Sequence, residues 1–560
     1  MNHRHVLFAL LAVLAVLRLR AAEPADAAAG KLLDHIVDRE NLFLAAIAAR
    51  TPLAETYIQE TSGGGETPES GDAAARPAKD HYFLGRVRCN GVVDYQPLVT
   101  RTDAPPPKSA SWLPFHLGTA KNRALTFLPR GFAQMAVLDL HDFNRRTYRF
   151  EYVRREFLGE VRCLVFDVAP VDPLAPGKFV GRIWVEDRDD SIVRFNGTYV
   201  QPAPTRRGAL AERYFHFDSW RVNAAESLWV PAQIYVEEQA SPGRRADGAM
   251  PHFKAQTRFW DYAATATRKV DELTSVLIES ASAVDDADAP KDISPLESQR
   301  LWERQAEQNL LARLEKGGLL APPGALEEVL NTVVNNLIVS SKLDIEAHCR
   351  VLLTTPFETF SMGHTIVISR GLIDVLPDEG SLALALASEL AHIALGHATQ
   401  TQFAFNNQTM LSDFDLLQRF HFERPAEEMQ AASAMAITMM RASPYSNLGN
   451  AGLFLQALAA HRAALPRLLQ ASLGDPVADT PAVARLASFA AAAPALDPAN
   501  LDQIAALPLG SRVKLDPWTN RLALVKTRPV ALLSAREKMP FEVTPFVLYL
   551  TRTEAVSAKK

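Results

Sequence analysis

The sequence predicts an α+β chain in three structured parts: an antiparallel β-rich N-terminal domain, a mainly helical domain and a small C-terminal β-unit. Three observations carry this. From His81 to about Ala263 apolar residues recur in short strand-like runs, such as Tyr148–Val153, Glu160–Val168 and Lys178–Glu186. From Leu296 to Leu473 the spacing is mostly helical. Strands then return at Ser511–Leu515, Leu522–Lys526, Val530–Leu533 and Phe541–Leu550.

At 560 residues the chain is too long for one ordinary core. Its composition, 48% apolar and 22% charged with a net charge of −5, is that of a soluble globular protein. No basic stripe with interleaved aromatics is present, so nucleic acid is not an expected partner. Residues 1–29 read as a signal peptide: Arg4 in a charged start, an apolar core at Leu7–Leu17, and small residues at Ala21–Ala22 and Ala27–Ala29. That core is shorter than the roughly 20 apolar residues of a membrane span. Arg18 and Arg20, close behind it, leave an uncleaved anchor open. The expected location is the periplasm or cell envelope.

Residues 30–80 read as a helix, with helical spacing from Lys31 to Gln59, and a flexible linker from Thr61 to Lys79 (TSGGGETPESGDAAARPAK). Residues 81–283 form the β-rich domain, a meander punctuated by turns at Asp189-Asp190 and Pro202-Ala203-Pro204. The alternation in Phe215-His216-Phe217-Asp218-Ser219-Trp220 suits a sheet with one covered face. Of the three cysteines, Cys89 and Cys163 share this region and could pair in an exported protein; three buried thiols is the other reading.

A charged, proline-containing linker at Asp285–Pro295 leads into the helical domain, residues 296–475. There Gly324–Ser340 has a continuous apolar face, and Cys349–Thr354 and Gly363–Ser369 read as two strands separated by the stretch from Thr355 to Met362. The stretch from Asp378 to Gln400, DEGSLALALASELAHIALGHATQ, reads as a helix started by Asp378 or Glu379, whose carboxylate accepts unpaired first-turn amides. Within it, Ser388-Glu389-Leu390-Ala391-His392 differs by one residue from H-E-x-x-H. That motif stacks two histidines on one helix face to bind zinc, while the Glu reaches the metal-bound water. Here the first ligand position is Ser388.

The run GHTIVISRGLIDVLPDEGSLALALASELAHIALGHA, from Gly363, resembles the gluzincin-type zinc metallopeptidases of the HtpX, BepA and CAAX-prenyl-protease family. Ile366–Leu372 matches their strand and turn, and Asp378-Glu379 their acidic helix start. The resemblance implies Glu389 as the catalytic carboxylate, His392 as the second zinc ligand and His397 as the histidine that follows. Pro425–Tyr445 matches the later E-x-x-x-D helix, which puts Glu428 at the third-ligand position, with Glu427 a one-residue alternative. Ala432 stands where that pattern has Asp. The resemblance covers roughly Leu320 to Ala460. The β-rich domain, with its GRIWVEDRDDSIVRFNG hairpin, more loosely resembles the half-barrel sheets of periplasmic lipoprotein-carrier and outer-membrane-sorting proteins.

A catalytic zinc takes three protein ligands and one water. The Ser388 hydroxyl is a weak donor, and the loss of a supporting carboxylate at Ala432 weakens the site again. His364, on the strand expected to border the cleft, and His397 are possible rescue ligands, although five residues on a continuous helix would turn His397 off the face of His392. A Ser388–His392 hydrolase pair has no oxyanion-hole sequence beside it. Three functions follow as expectations. The leading one is an exported, catalytically impaired pseudopeptidase that binds polypeptide or envelope proteins in the old cleft. The second is an active zinc endopeptidase, with Glu389 as base, His392 and Glu428 as ligands, and an unrecognised third ligand. The third is a carrier of a lipid or other apolar ligand on the N-terminal β-domain. Residues 500–552, the C-terminal β-unit, carry no legible chemistry.

Overall fold

The structure, a computed structural model, describes residues 28–61, 77–102, 115–117, 125–200, 214–239, 252–263, 294–397, 417, 424–446, 449–469, 475–476, 509–526 and 541–553. The expected signal peptide, both expected linkers and the expected Val530–Leu533 strand fall wholly or mainly outside them. Among the described residues no helix is long and apolar enough to cross a membrane.

The chain is α+β. A helix over residues 28–48 comes first. The strands of the N-terminal half are β1 (Leu53–Thr61), β2 (Pro77–Cys89), β3 (Val93–Arg101), β4 (Phe115–Leu117), β5 (Leu125–Phe127), β6 (Tyr148–Leu158), β7 (Val161–Pro170), β8 (Phe179–Glu186), β9 (Ile192–Tyr199), β10 (Tyr214–Ala225), β11 (Leu228–Gln239) and β12 (His252–Trp260). β4 and β5 pair only with each other, and the rest form one ten-stranded sheet in the order β3-β2-β1-β12-β11-β10-β9-β8-β7-β6. Neighbouring strands are antiparallel, and short turns join β2 to β3, β6 to β7, β8 to β9 and β10 to β11.

Here the expected helix to Gln59 is corrected: it ends at residue 48, and β1 follows. β1 lies inside the sheet between β2 and β12, and every residue of it is buried. Its alternation sends Ala54 and Ile58 to one face, Leu53 and Tyr57 to the other, because both faces are covered at this end. Ala54 and Ile58 face a core built from the 28–48 helix (Ile36, Phe43, Ile47), the short helix Pro129–Gln134 and the aromatic rows of the sheet. That core is filled by rings: Phe195 meets Phe217 edge-on at 5.9 Å, and Phe127 meets Phe253 at 5.3 Å. Leu53, Tyr57, Tyr82 and Trp260 instead join the core of the helical half, so the two halves share a continuous apolar interior.

Buried polar groups fix that junction. The Glu55 carboxylate accepts the Thr355 amide and hydroxyl, each at 2.6 Å, and the Tyr82 hydroxyl at 2.8 Å. Asp80 accepts the amides of Arg467 (3.0 Å) and Leu468 (2.9 Å). Its burial pushes the carboxyl up to about 6, against the pull of those amides.

In the helical half, Pro295–Lys316 and Ala325–Ser340 precede a small sheet of β13 (His348–Leu352), β14 (Glu358–Met362), β15 (Thr365–Ser369) and β16 (Asp475–Pro476), ordered β13-β15-β14-β16. β14 lies in the stretch expected to separate two strands; its ETFSM sequence has little strand signal, and sandwiching between β15 and β16 decides it. Helices Arg370–Val375, Glu379–Ala394, Ala426–Ala442 and Gly449–His461 follow. Among the described residues of the C-terminal part, only β17 (Val513–Leu515) and β18 (Leu522–Leu524) pair as strands. Residues 541–550 are a second correction, for they form no ladder. They run as an irregular segment whose Leu550 packs with Trp184, Trp220 and Trp229 on the sheet. The cysteines are three buried free thiols, and Cys89 and Cys163 belong to different apolar clusters, so the Cys89–Cys163 pairing does not form.

Candidate metal centre

The Glu379–Ala394 helix starts at Asp378, whose carboxylate accepts the Ser381 amide at 2.8 Å and its hydroxyl at 2.7 Å. Leu382, Leu386 and Leu390 bury it on one face. Glu389 and His392, three residues apart, are both buried and share a side of the helix. Ser388 does not join them. Its hydroxyl donates to the carbonyl of Leu384 on its own helix at 3.0 Å.

The helix ends where the chain needs a left-handed residue, supplied by Gly396 at φ +65°. The Gly396 amide bonds the Ile393 carbonyl at 3.0 Å, and the His397 amide bonds the His392 carbonyl at 3.1 Å. This is a Schellman stop, and it folds the residue after the glycine back over the last helical turn. His397 therefore sits beside His392, with the two Nδ1 atoms 2.8 Å apart, one ring donating and the other accepting. A continuous helix would have turned it away.

From the Ala426–Ala442 helix, Glu428 is half-buried and faces this pair, while Glu427 is exposed. Glu428 Oε2 lies 3.9 Å from His397 Nδ1. One ligand atom each from His392, His397 and Glu428 thus falls within 4.8 Å of the others. Ala432 is buried on the same helix and offers no polar group. His364 lies apart, exposed in the turn between β14 and β15, with Nδ1 2.9 Å from the Glu346 carbonyl oxygen.

Three residues that the sequence reading does not single out complete the site. Thr359 and Ser361, on β14, hydrogen-bond the Glu389 carboxyl, yet its Oε2 is left without a partner. Arg424 donates to the carbonyl (3.1 Å) and hydroxyl (3.3 Å) of Ser361, and its Nη1 stands 3.5 Å from Glu428 Oε2. Its place four residues before Glu428 was the available signal. Burial raises the Glu389 carboxyl above the usual range, opposed by Thr359, Arg424 and Ser361. Burial, Arg424 and His397 together lower His392 to about 3, so its ring is neutral near pH 7.

His392, His397 and Glu428 have the composition of a catalytic zinc set. One ligand atom of each lies within 4.8 Å of the others, so the three could share an ion that displaced the contacts they now make. The two nearest nitrogens are closed on each other by a hydrogen bond, Ser388 offers nothing, and a guanidinium stands beside the carboxylate.

Residues 326–453 match the model of peptidase family M48, so this segment is an M48-peptidase-like domain. No curated protein matches it. Among solved structures, a putative outer membrane lipoprotein-sorting protein domain from Vibrio parahaemolyticus is 8% identical, covering 40% of this chain and 90% of its own, at a TM-score of 0.20. A DUF1329 family protein from Desulfovibrio piger is 10% identical, over 40% of this chain and 90% of its own, at 0.20. A LolA superfamily protein from Nitrosomonas europaea is 12% identical, over 41% and 91%, at 0.20. Likenesses this slight assign no ligand.

Proposed function

We propose that this protein is an exported pseudopeptidase, an M48-like fold that holds polypeptide in the former catalytic cleft and does not hydrolyse it. The observation that carries the reading is the Ser388 hydroxyl, bonded back to Leu384 O at 3.0 Å, so the first-ligand position supplies no donor. The surviving groups contact one another: His392 bonds His397, and Arg424 stands 3.5 Å from Glu428. Glu389, the residue a hydrolase would need as base, is 3% exposed. A base must reach the water it activates, and burial this deep works against that.

Purified full-length protein should hold well below one zinc per chain by elemental analysis. It should leave unfolded casein uncut while retaining it in a pull-down, with a melting temperature indifferent to chelator. About one zinc per chain, with cleavage abolished by Glu389→Gln, would overturn the reading.

That outcome would favour the second reading, a metal-dependent endopeptidase. The convergence of His392, His397 and Glu428 within 4.8 Å supports it. No comparable observation supports the apolar-carrier reading, because the described β-domain core is filled by its own aromatic side chains.

A further inference from the structure

The former metal site contains a cation supplied by the chain itself. Arg424 lies just before the Ala426–Ala442 helix, and its side chain is 12% exposed. One end of its guanidinium is fixed to β14 through the carbonyl and hydroxyl of Ser361, and the other faces Glu428 Oε2 at 3.5 Å. Its charge acts on Glu389, His392 and His397, each of which feels it electrostatically. A single side chain thus touches one carboxylate of the site and acts through its charge on the base position and both imidazoles.

We propose that Arg424 takes over the charge role of the metal and excludes a divalent cation from the cleft, independently of the serine at the first ligand position. Carboxylates converging in a partly buried space are stabilised in their charged form by a compensating cation. A guanidinium is permanently charged and planar, and here it is held by two hydrogen bonds to a strand. A dication would have to sit within a few ångströms of it, in a poorly screened site, or displace it from Ser361. Restoring the lost histidine is therefore insufficient to restore the metal.

This inference rests on the pseudopeptidase reading, and zinc affinity separates the two. Full-length wild type, Ser388→His, Ser388→His/Arg424→Gln and Ser388→His/Arg424→Lys would be titrated with zinc chloride against a competing chelator. The Gln double variant should bind about one zinc, at least 100-fold more tightly than Ser388→His alone, and the charge-retaining Lys variant should resemble Ser388→His. Tight zinc in the wild type sinks the pseudopeptidase reading itself. Equal affinity of Ser388→His and the Gln double variant sinks only the role given to Arg424. So does binding by neither, or a Lys variant that binds like the Gln one. Melting temperature gives a metal-free readout: Arg424→Gln alone should melt lower than wild type and Arg424→Lys close to it. Equal losses from the two overturn the proposal, including where the Gln variants do not fold.

Discussion

Two arginine–carboxylate clusters, one in each half of the molecule, differ in how closely they are paired. In the β-domain, Arg221 and Glu40 are both essentially inaccessible and pair through two bonds of 2.6 and 2.7 Å. Arg221 also donates to the Ile192 carbonyl and lies 3.8 Å over the Phe43 ring, tying the 28–48 helix to the sheet. In the cleft, Arg424 meets Glu428 only at 3.5 Å, His397 meets it at 3.9 Å, and Glu389 keeps an oxygen without a partner. Close complementary pairing is what a structural cluster needs. Each cluster keeps one buried atom without a partner, Arg221 Nε and Glu389 Oε2, so the distances carry the difference, and the looser contacts of the cleft suit groups arranged for a purpose other than structural pairing.

The sharpest way to break this comparison is Glu40→Ala, which leaves the Arg221 guanidinium buried without its partner. It should cost about 3–5 kcal/mol in denaturant unfolding. A loss below about 1 kcal/mol would put the two clusters on the same footing.

The Asp80 junction provides an intermediate case with a defined pH dependence. Its carboxyl is raised from 3.8 to about 6 in the folded chain. Between those values the folded state binds the proton and the unfolded state does not, so stability through this group falls as pH rises. From pH 5 to 7 the fall should be about 1 kcal/mol, visible as the difference between the pH profiles of wild type and Asp80→Asn. Coincident profiles would remove Asp80 from the account.

Glu389→Gln should go the other way from Glu40→Ala. It replaces a buried carboxyl whose charged form is disfavoured by desolvation with a neutral amide, and stability should hold or rise by up to about 1 kcal/mol. A loss resembling that at Glu40 would show a structural role for the cleft. The smallest effect belongs to Ser388→Ala, a gain of about 0.5 kcal/mol in thermal melts, since alanine is the better helix former and the lost bond serves only its own helix.

The helix bearing the site was legible because its signals are local. Asp378 is the N-cap, leucines recur at helical spacing, and Glu389 and His392 fall three apart. Glu428 was placed by register alone, with Glu427 as its rival, and the helix turns only Glu428 inward. β1 was misread although Pro52 stands just before it, because apolar residues fall at helical as well as strand spacing there; its pairing along both edges with β2 and β12 and the burial of both its faces decide it. The irregular run of residues 541–550 has the same origin: strand-like residues whose partners are tryptophan side chains, not a neighbouring backbone.

By itself the sequence determined that an M48-like helix is present and that its first ligand is missing, since both depend on residue identity and spacing along one helix. Tertiary structure decided what became of the rest. His397 reaches His392 because Gly396 reverses the chain, and a one-residue change of backbone hand cannot be read from helical periodicity. Arg424 and Ser361 lie 63 residues apart, and only the packing of β14 beside two helices brings that guanidinium to Ser361 and Glu428. Charge compensation acts through space, and the fold sets those distances.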